Sequence, residues 1–235
     1  AMFGAYISDS DRATLRFTSD NIQFQTSGYS VTTTGKFRDT NAWYHIVAAI
    51  DTTQGTQSNR GKIYVNGVQQ ILQTNDLAQN LDTSVNNNSV QVFGTRWVSG
   101  AANGNFDGYL AECNLIDGQQ LDASYFGYTD LQTGTWKPKF YSGSYGTNGV
   151  RLTFNNTGSF IDFFDESSSK HFLTRTGEVI HTSDQKKNGA TSIYFDDSSD
   201  TLSTVDSSDF TFGTNDYTIE AYVRRTRQGD DEWFF

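Results

Sequence analysis

A single cysteine, Cys113, a single proline, Pro138, and a single methionine, Met2, stand in 235 residues. One cysteine excludes an internal disulfide framework and a cysteine-rich zinc site. It leaves the compartment open, because a large sandwich holds together without disulfides. Basic charge is scarce: 17 Lys plus Arg against 27 Asp plus Glu gives a net charge of -10. That balance excludes an electrostatic nucleic-acid binder and a polybasic membrane-surface protein. Glutamate is rarer still, 5 residues against 22 Asp, and Asp favours turns and caps where Glu favours helix interiors. Helix is therefore a minor component. No window reaches the roughly 18 consecutive apolar residues of a membrane span, so no membrane insertion is expected. The start shows no charged-then-apolar leader pattern, and Ala1-Met2-Phe3-Gly4 and Trp233-Phe234-Phe235 read as the cut edges of a longer chain.

Aromatic residues are plentiful. They make up 14% of a chain that is only 35% hydrophobic, as 18 Phe, 12 Tyr and 4 Trp, so burial falls on aromatic β-type residues and not on Leu-rich helices. Short alternating segments separated by turn residues recur throughout, which predicts an antiparallel sandwich or barrel. Strands are expected over 11–17, around Ile22 and Phe24, and over 90–93, 109–116, 150–154, 192–195, 201–205 and 217–224. The apolar run Trp43–Ile50 predicts a central strand covered on both faces. Asn66-Gly67, flanked by apolar residues, predicts a tight type I′ hairpin, because both central positions need positive φ. The one helix expected is a single turn over 121–127, with Asp122 as N-cap and Gly127 as stop. A Gly-, Ser- and Tyr-rich stretch over 133–149, holding Pro138, reads as a link between two modules.

Two stretches resemble laminin G-like, concanavalin A-like sandwich modules. Trp43-Tyr44-His45-Ile46-Val47, Asp51, Lys62–Val68 and Phe106-Asp107-Gly108-Tyr109-Leu110-Ala111-Glu112 resemble the later strands of such a module. Phe164-Asp165-Glu166-Ser167, Lys187–Ser192, Tyr194-Phe195-Asp196, Asp206–Gly213 and Tyr217–Val223 look like the opening strands of a second one. The resemblance implies an all-β, antiparallel jelly-roll sandwich, divided as a module lacking its first strands over 1–132, a connector over 133–158 and the opening of a second module over 159–235. The connector, with Thr133–Pro138 and Gly143–Gly149, resembles those of large bacteriophage structural proteins carrying such modules. A sandwich missing strands exposes edges and an apolar face. Either the chain belongs to a tandem array, the favoured expectation, or the strands of 190–235 complete the sandwich begun at residue 1, in the same chain or in a neighbour.

Little in the sequence proposes chemistry. The carboxylate triplet of sandwich glycosidases, with two carboxyl groups about 5 to 5.5 Å apart, is missing; Asp9 with Asp11, Asp230 with Glu232, and Glu112 followed by Asn114 and Ile116 are the nearest approaches. His45 is expected to be a hydrogen-bonded framework residue, His171 and His181 surface residues, and Cys113 a buried small hydrophobe. The Gly-rich piece over 143–149 lacks a following helix or a P-loop lysine. Asp196, Asp197, Asp200, Asp206 and Asp209, with Asp51 and Asp107, offer oxygen ligands for calcium, although turn geometry accounts for them more simply. Trp97, Tyr141 and Tyr145 are the aromatics placed to stack on sugars.

The sequence therefore assigns no catalytic residue, no ligand-binding residue and no metal ligand, and implies no cofactor beyond the calcium option. The expected protein is not an enzyme. Two functions remain: a structural or adhesive component of a bacteriophage virion, such as a fibre, tail or capsid appendage, or a bacterial extracellular polysaccharide-binding module or adhesin. Its expected partners are neighbouring copies or further modules of the same chain and surface glycans, without nucleic acid, and its expected location is a virion or an extracellular surface.

Overall fold

The computed structural model describes residues 4–99, 101–158, 162–204, 208–211 and 213–229. Its strands in chain order begin with β1 (Gly4–Tyr6), β2 (Arg12–Thr18), β3 (Asn21–Thr26), β4 (Tyr29–Thr33) and β5 (Tyr44–Ile50). They continue as β6 (Gly61–Val65), β7 (Val68–Gln69), β8 (Leu72–Asn75), β9 (Val90–Phe93), β10 (Arg96–Val98) and β11 (Ala101–Asn103). Next come β12 (Asp107–Asp117), β13 (Gly127–Thr129), β14 (Trp136–Pro138) and β15 (Val150–Leu152). The last five are β16 (Leu173–Thr176), β17 (Ile180–Thr182), β18 (Ser192–Asp196), β19 (Thr201–Thr204) and β20 (Tyr217–Arg225). Two large antiparallel sheets result. One runs β16-β19-β9-β1-β2-β3-β4-β8; the other runs β17-β18-β12-β20-β5-β6-β7, with β15 also on β12.

Alternation dictates how these strands bury. Along β20, Tyr217, Ile219, Ala221 and Val223 point between the sheets into the main apolar core. Thr218, Glu220, Tyr222 and Arg224 therefore face the other way, as period two requires. All seven residues of β5 are buried, which fits its place between β20 and β6. Each fully buried Phe, Ile or Leu contributes roughly 1.5–3 kcal/mol, and Phe17, Phe24, Phe93, Phe106, Phe195 and Phe210 are all buried in this core. The expected hairpin is present: Asn66 and Gly67 have φ of 48° and 82° and join β6 to β7.

The expected division at 133–158 requires correction, because the sheets interleave the two segments. β20 lies between β12 and β5, with Ala221 opposite both Cys113 and Ile46. β18 pairs with β12, and β19 pairs with β9. The physical reason is the one that made an incomplete sandwich untenable: the central strands of the first segment offer unpaired backbone groups and an apolar face, and the strands of the second segment satisfy both. Strands β18, β19 and β20 of the later segment thus complete the earlier sandwich within this chain.

The connector is likewise packed structure and not a free link. Residues 119–149 lie over the outward face of the second sheet, where Val47, Ala49, Tyr64 and Ile116 form a second apolar cluster with Leu121, Phe126 and Tyr141. Pro138 sits in β14, paired with Gly127 of β13. The expected helix shrinks to a 3-10 turn at Ala123–Tyr125, with the Asp122 carboxylate accepting from the Ser124 N–H at 2.8 Å.

Candidate functional site

The residues singled out in the sequence occupy mostly structural positions. Tyr141 is buried in the second apolar cluster, Tyr145 is half-buried with its hydroxyl bonded to Asn114, and half-buried Trp97 packs against Tyr6. None is an open stacking surface. The aspartates act as turn acceptors. Asp196 accepts from the Ser198 N–H and hydroxyl, Asp200 from the Glu178 and Asp196 N–H groups, and Asp51 from Thr53 and Gln54, while Asp197 pairs with Arg227. Asp107 opens β12, Asp206 lies outside the described residues, and so does the side chain of Asp209. Among the described residues, no three of His, Cys, Asp and Glu gather to hold a metal ion.

His45 anchors a buried network beneath the connector. Its N–H donates to the Asn66 side chain at 2.9 Å, and the Trp136 indole N–H donates to its Nδ1 at 3.0 Å. With Nδ1 accepting, the ring proton sits on Nε2 and donates to Glu220 Oε1 at 2.8 Å. Asn114 donates to Glu220 Oε2 at 2.6 Å and accepts from the Tyr145 hydroxyl at 2.8 Å. Trp136 reaches His45 only because two glycines clear its path: a Cβ on Gly67 or Gly127 would come within 2.3 or 2.4 Å of the indole.

Beside this network lies Glu112, 6% exposed and with φ of 51°. It is the bulge residue that breaks the β12–β20 register, at the point where the other edge of β12 passes from β18 to β15. Burial, then the Glu220 charge, pushes its carboxyl up to about 8. Burial also pushes the Cys113 thiol far up, which matches an inert core residue and not a nucleophile.

An open feature lies elsewhere, along residues 153–181, in a region the sequence had treated as polar surface. A cleft of about 250 Å³ is lined by Asn155, Asn156, Asp162, Phe164, Glu166 and His181, among others. A second, of about 180 Å³, is lined by Phe164, Lys170, His171 and Phe172, among others. The expectation that His171 and His181 are surface residues requires correction. His181 is 2% exposed, with Nδ1 3.2 Å from the Phe154 carbonyl, Nε2 2.9 Å from the Asp162 carbonyl and its ring stacked on Phe163. His171 stacks on Phe210 and contacts Asp165 Oδ2 through Nδ1 at 2.8 Å.

Asp165 organises the floor of this region. Its Oδ1 accepts the Arg151 and Ser167 N–H groups at 2.9 and 2.8 Å, and its Oδ2 accepts the His171 N–H and the Ser167 hydroxyl, both at 2.9 Å. Burial alone would push this carboxyl up, but the donors from His171, Arg151 and Ser167 outweigh it and hold it below the usual range. Around this fixed hub the chain alternates: Phe163 and Asp165 are buried while Phe164 is 65% exposed, and Leu173 is buried while Phe172 is 74% exposed. Phe164 and Phe172 face each other across an isolated antiparallel bridge, which places both side chains on one side, with Cβ atoms about 4.5–5.5 Å apart. The adjacent Phe163-Phe164 pair, one ring in and one out, was the available sequence signal.

Together these features define a jelly-roll sandwich whose only mutually repelling buried glutamates are covered, among the described residues, and whose open face is aromatic and polar. Residues 2–124 match the model of the concanavalin A-like lectin/glucanases superfamily in its laminin G form, and the chain belongs to that family. The family contains sugar-binding lectins and glucanases alike, so membership leaves catalysis undecided. No curated protein and no solved structure matches the chain.

Proposed function

We propose that the chain is a non-catalytic carbohydrate-binding β-sandwich whose ligand site is the cleft region around Phe164. The observation that carries this reading is the side-by-side exposure of Phe164 and Phe172 above clefts edged by amides and carboxylates. Sugars present the complement: flat C–H faces and a rim of hydroxyls. The non-catalytic part is supported by Glu112 and Glu220, which are 6% and 1% exposed beneath the connector. A glycosidase needs two carboxyl groups flanking a substrate at about 5–5.5 or 6.5–9.5 Å from each other, and covered carboxyls receive none.

Affinity electrophoresis through gels holding different polysaccharides tests the reading. Retarded migration with at least one of them, weakened by Asp162→Ala, is the expected result. Unretarded migration in every gel overturns the binding assignment, and release of reducing ends from the gel polymer overturns the non-catalytic one. The proposal includes no cofactor, so excess EDTA leaves the melting midpoint unchanged; a fall would establish a structural cation.

The second reading, a structural repeat of a fibre or tail on a virion or cell surface, is favoured by β20. This central strand comes from outside the family-matched stretch, so neighbouring modules or copies could complete one another in the same way. Copurification of the chain with particles, and no retardation in any gel, is the outcome this reading expects.

A further inference from the structure

Resting on the assignment of a glycan site around Phe164, we propose that the site holds an internal stretch of an uncharged polysaccharide, with one sugar ring in each of two clefts that share Phe164. Both clefts are small. At about 250 and 180 Å³, each falls below the roughly 300–1,000 Å³ of pockets that enclose a large ligand, so neither alone encloses more than a small ring. Yet they are neighbours, because Phe163 and Phe164 line both. Two small neighbouring recesses that share one exposed aromatic residue match a repeating occupant better than a single compact one.

The aromatic pair fixes the direction. Phe172 lines only the second cleft, and the bridge between Phe164 and Phe172 sets the two rings next to each other on one side of the ribbon. Asp165 and its donors lock the backbone between them, with Phe163, Leu173 and Phe210 buried behind. Two large apolar side chains at 65% and 74% exposure gain little for folding, and a rigid, preorganised platform costs little to occupy.

Charge selects the class. The first cleft carries Asp162 and Glu166, the second Lys170, and Glu166 already lies 3.6 Å from Arg151. Cations and carboxylates are mixed around the clefts, and the chain carries a net charge of -10, so uronate-rich and sulfated polymers are repelled at long range. The site lies outside residues 2–124, the stretch that the family model matches.

A glycan array carrying neutral, uronate-containing and sulfated polysaccharides, followed by calorimetry with mono- to hexasaccharides of the retained polymer, tests this. Binding is expected on neutral polymers, with the oligosaccharides at least tenfold tighter than the monosaccharide. Phe164→Ala should weaken binding at least tenfold and Phe172→Ala about threefold, both with an unchanged melting midpoint; Tyr128→Ala, an exposed aromatic on β13, should bind as the parent does. A retained glycan whose affinity ignores Phe164→Ala, or a monosaccharide that binds as tightly as its oligomers, or retention of only anionic polymers, overturns the two-cleft inference while leaving a glycan-binding protein. No retention of any glycan overturns the binding assignment and this inference together.

Discussion

Asp165 and Glu112 are both buried carboxyls, and their surroundings have opposite consequences. Asp165 receives three backbone N–H groups, a hydroxyl and an imidazole. Glu112 meets burial and the repelling charge of Glu220, and its carboxyl is pushed up to about 8. Burial pushes both carboxyls up, and at Asp165 the donors aimed at it outweigh that push. The Asp165 region is a hub built to hold a charge, whereas the Glu112 region favours a proton.

The comparison breaks most visibly at Asp165. Asp165→Ala strands five donors and is expected to cost about 4 kcal/mol, read as a lower urea midpoint; a loss below about 1 kcal/mol would mean that water replaces the carboxylate. The sign with pH is also fixed. The folded Asp165 titrates below its ordinary 3.8, so its stabilisation is complete above about pH 4 and disappears as pH falls through the lowered folded value. Glu112 acts in the other direction. Its cost is absent below the ordinary 4.5, grows as pH rises and is complete above about pH 8. Glu112→Gln should therefore stabilise by several kcal/mol, at most about 5, at pH 9 and by almost nothing at pH 4; equal midpoints at pH 9 would show that the glutamate finds a donor there.

Smaller changes sharpen the picture around the network. Trp136→Ala removes a half-buried indole and its bond to His45, at about 2 kcal/mol, and should speed amide exchange across 119–149 while leaving the 153–181 region unchanged. Asp122→Ala removes one cap bond for about 1 kcal/mol, measurable as a slight fall in the melting midpoint.

Local chemistry made parts of this legible from the sequence. The Asn66-Gly67 turn, the two faces of β20 and the central run of β5 follow from φ preference and period two, which act within a few residues. The partner of each strand did not, because pairing β20 between β12 and β5 depends on which apolar faces lack cover, and no short window carries that. The bulge at Glu112 was hidden for the same reason: a glutamate in left-handed conformation is a tertiary outcome. The role of Asp165 as a hub was not legible, since its donors come from residues 151, 167 and 171 and only the fold gathers them. Exposed Phe164 and Phe172 were hidden by the rule that aromatics in such a chain fill the core, which holds for Phe163 beside them.

The central position of β20 also has a kinetic meaning. His45 and Glu220 touch although they stand 175 residues apart, so on a ribosome adding about 5–20 residues per second the middle of the second sheet stays open for roughly ten seconds or more. During that interval β5 and β12 present unsatisfied edges to solvent or to a chaperone. The nascent protein is most vulnerable to misassembly just before its last described strand emerges.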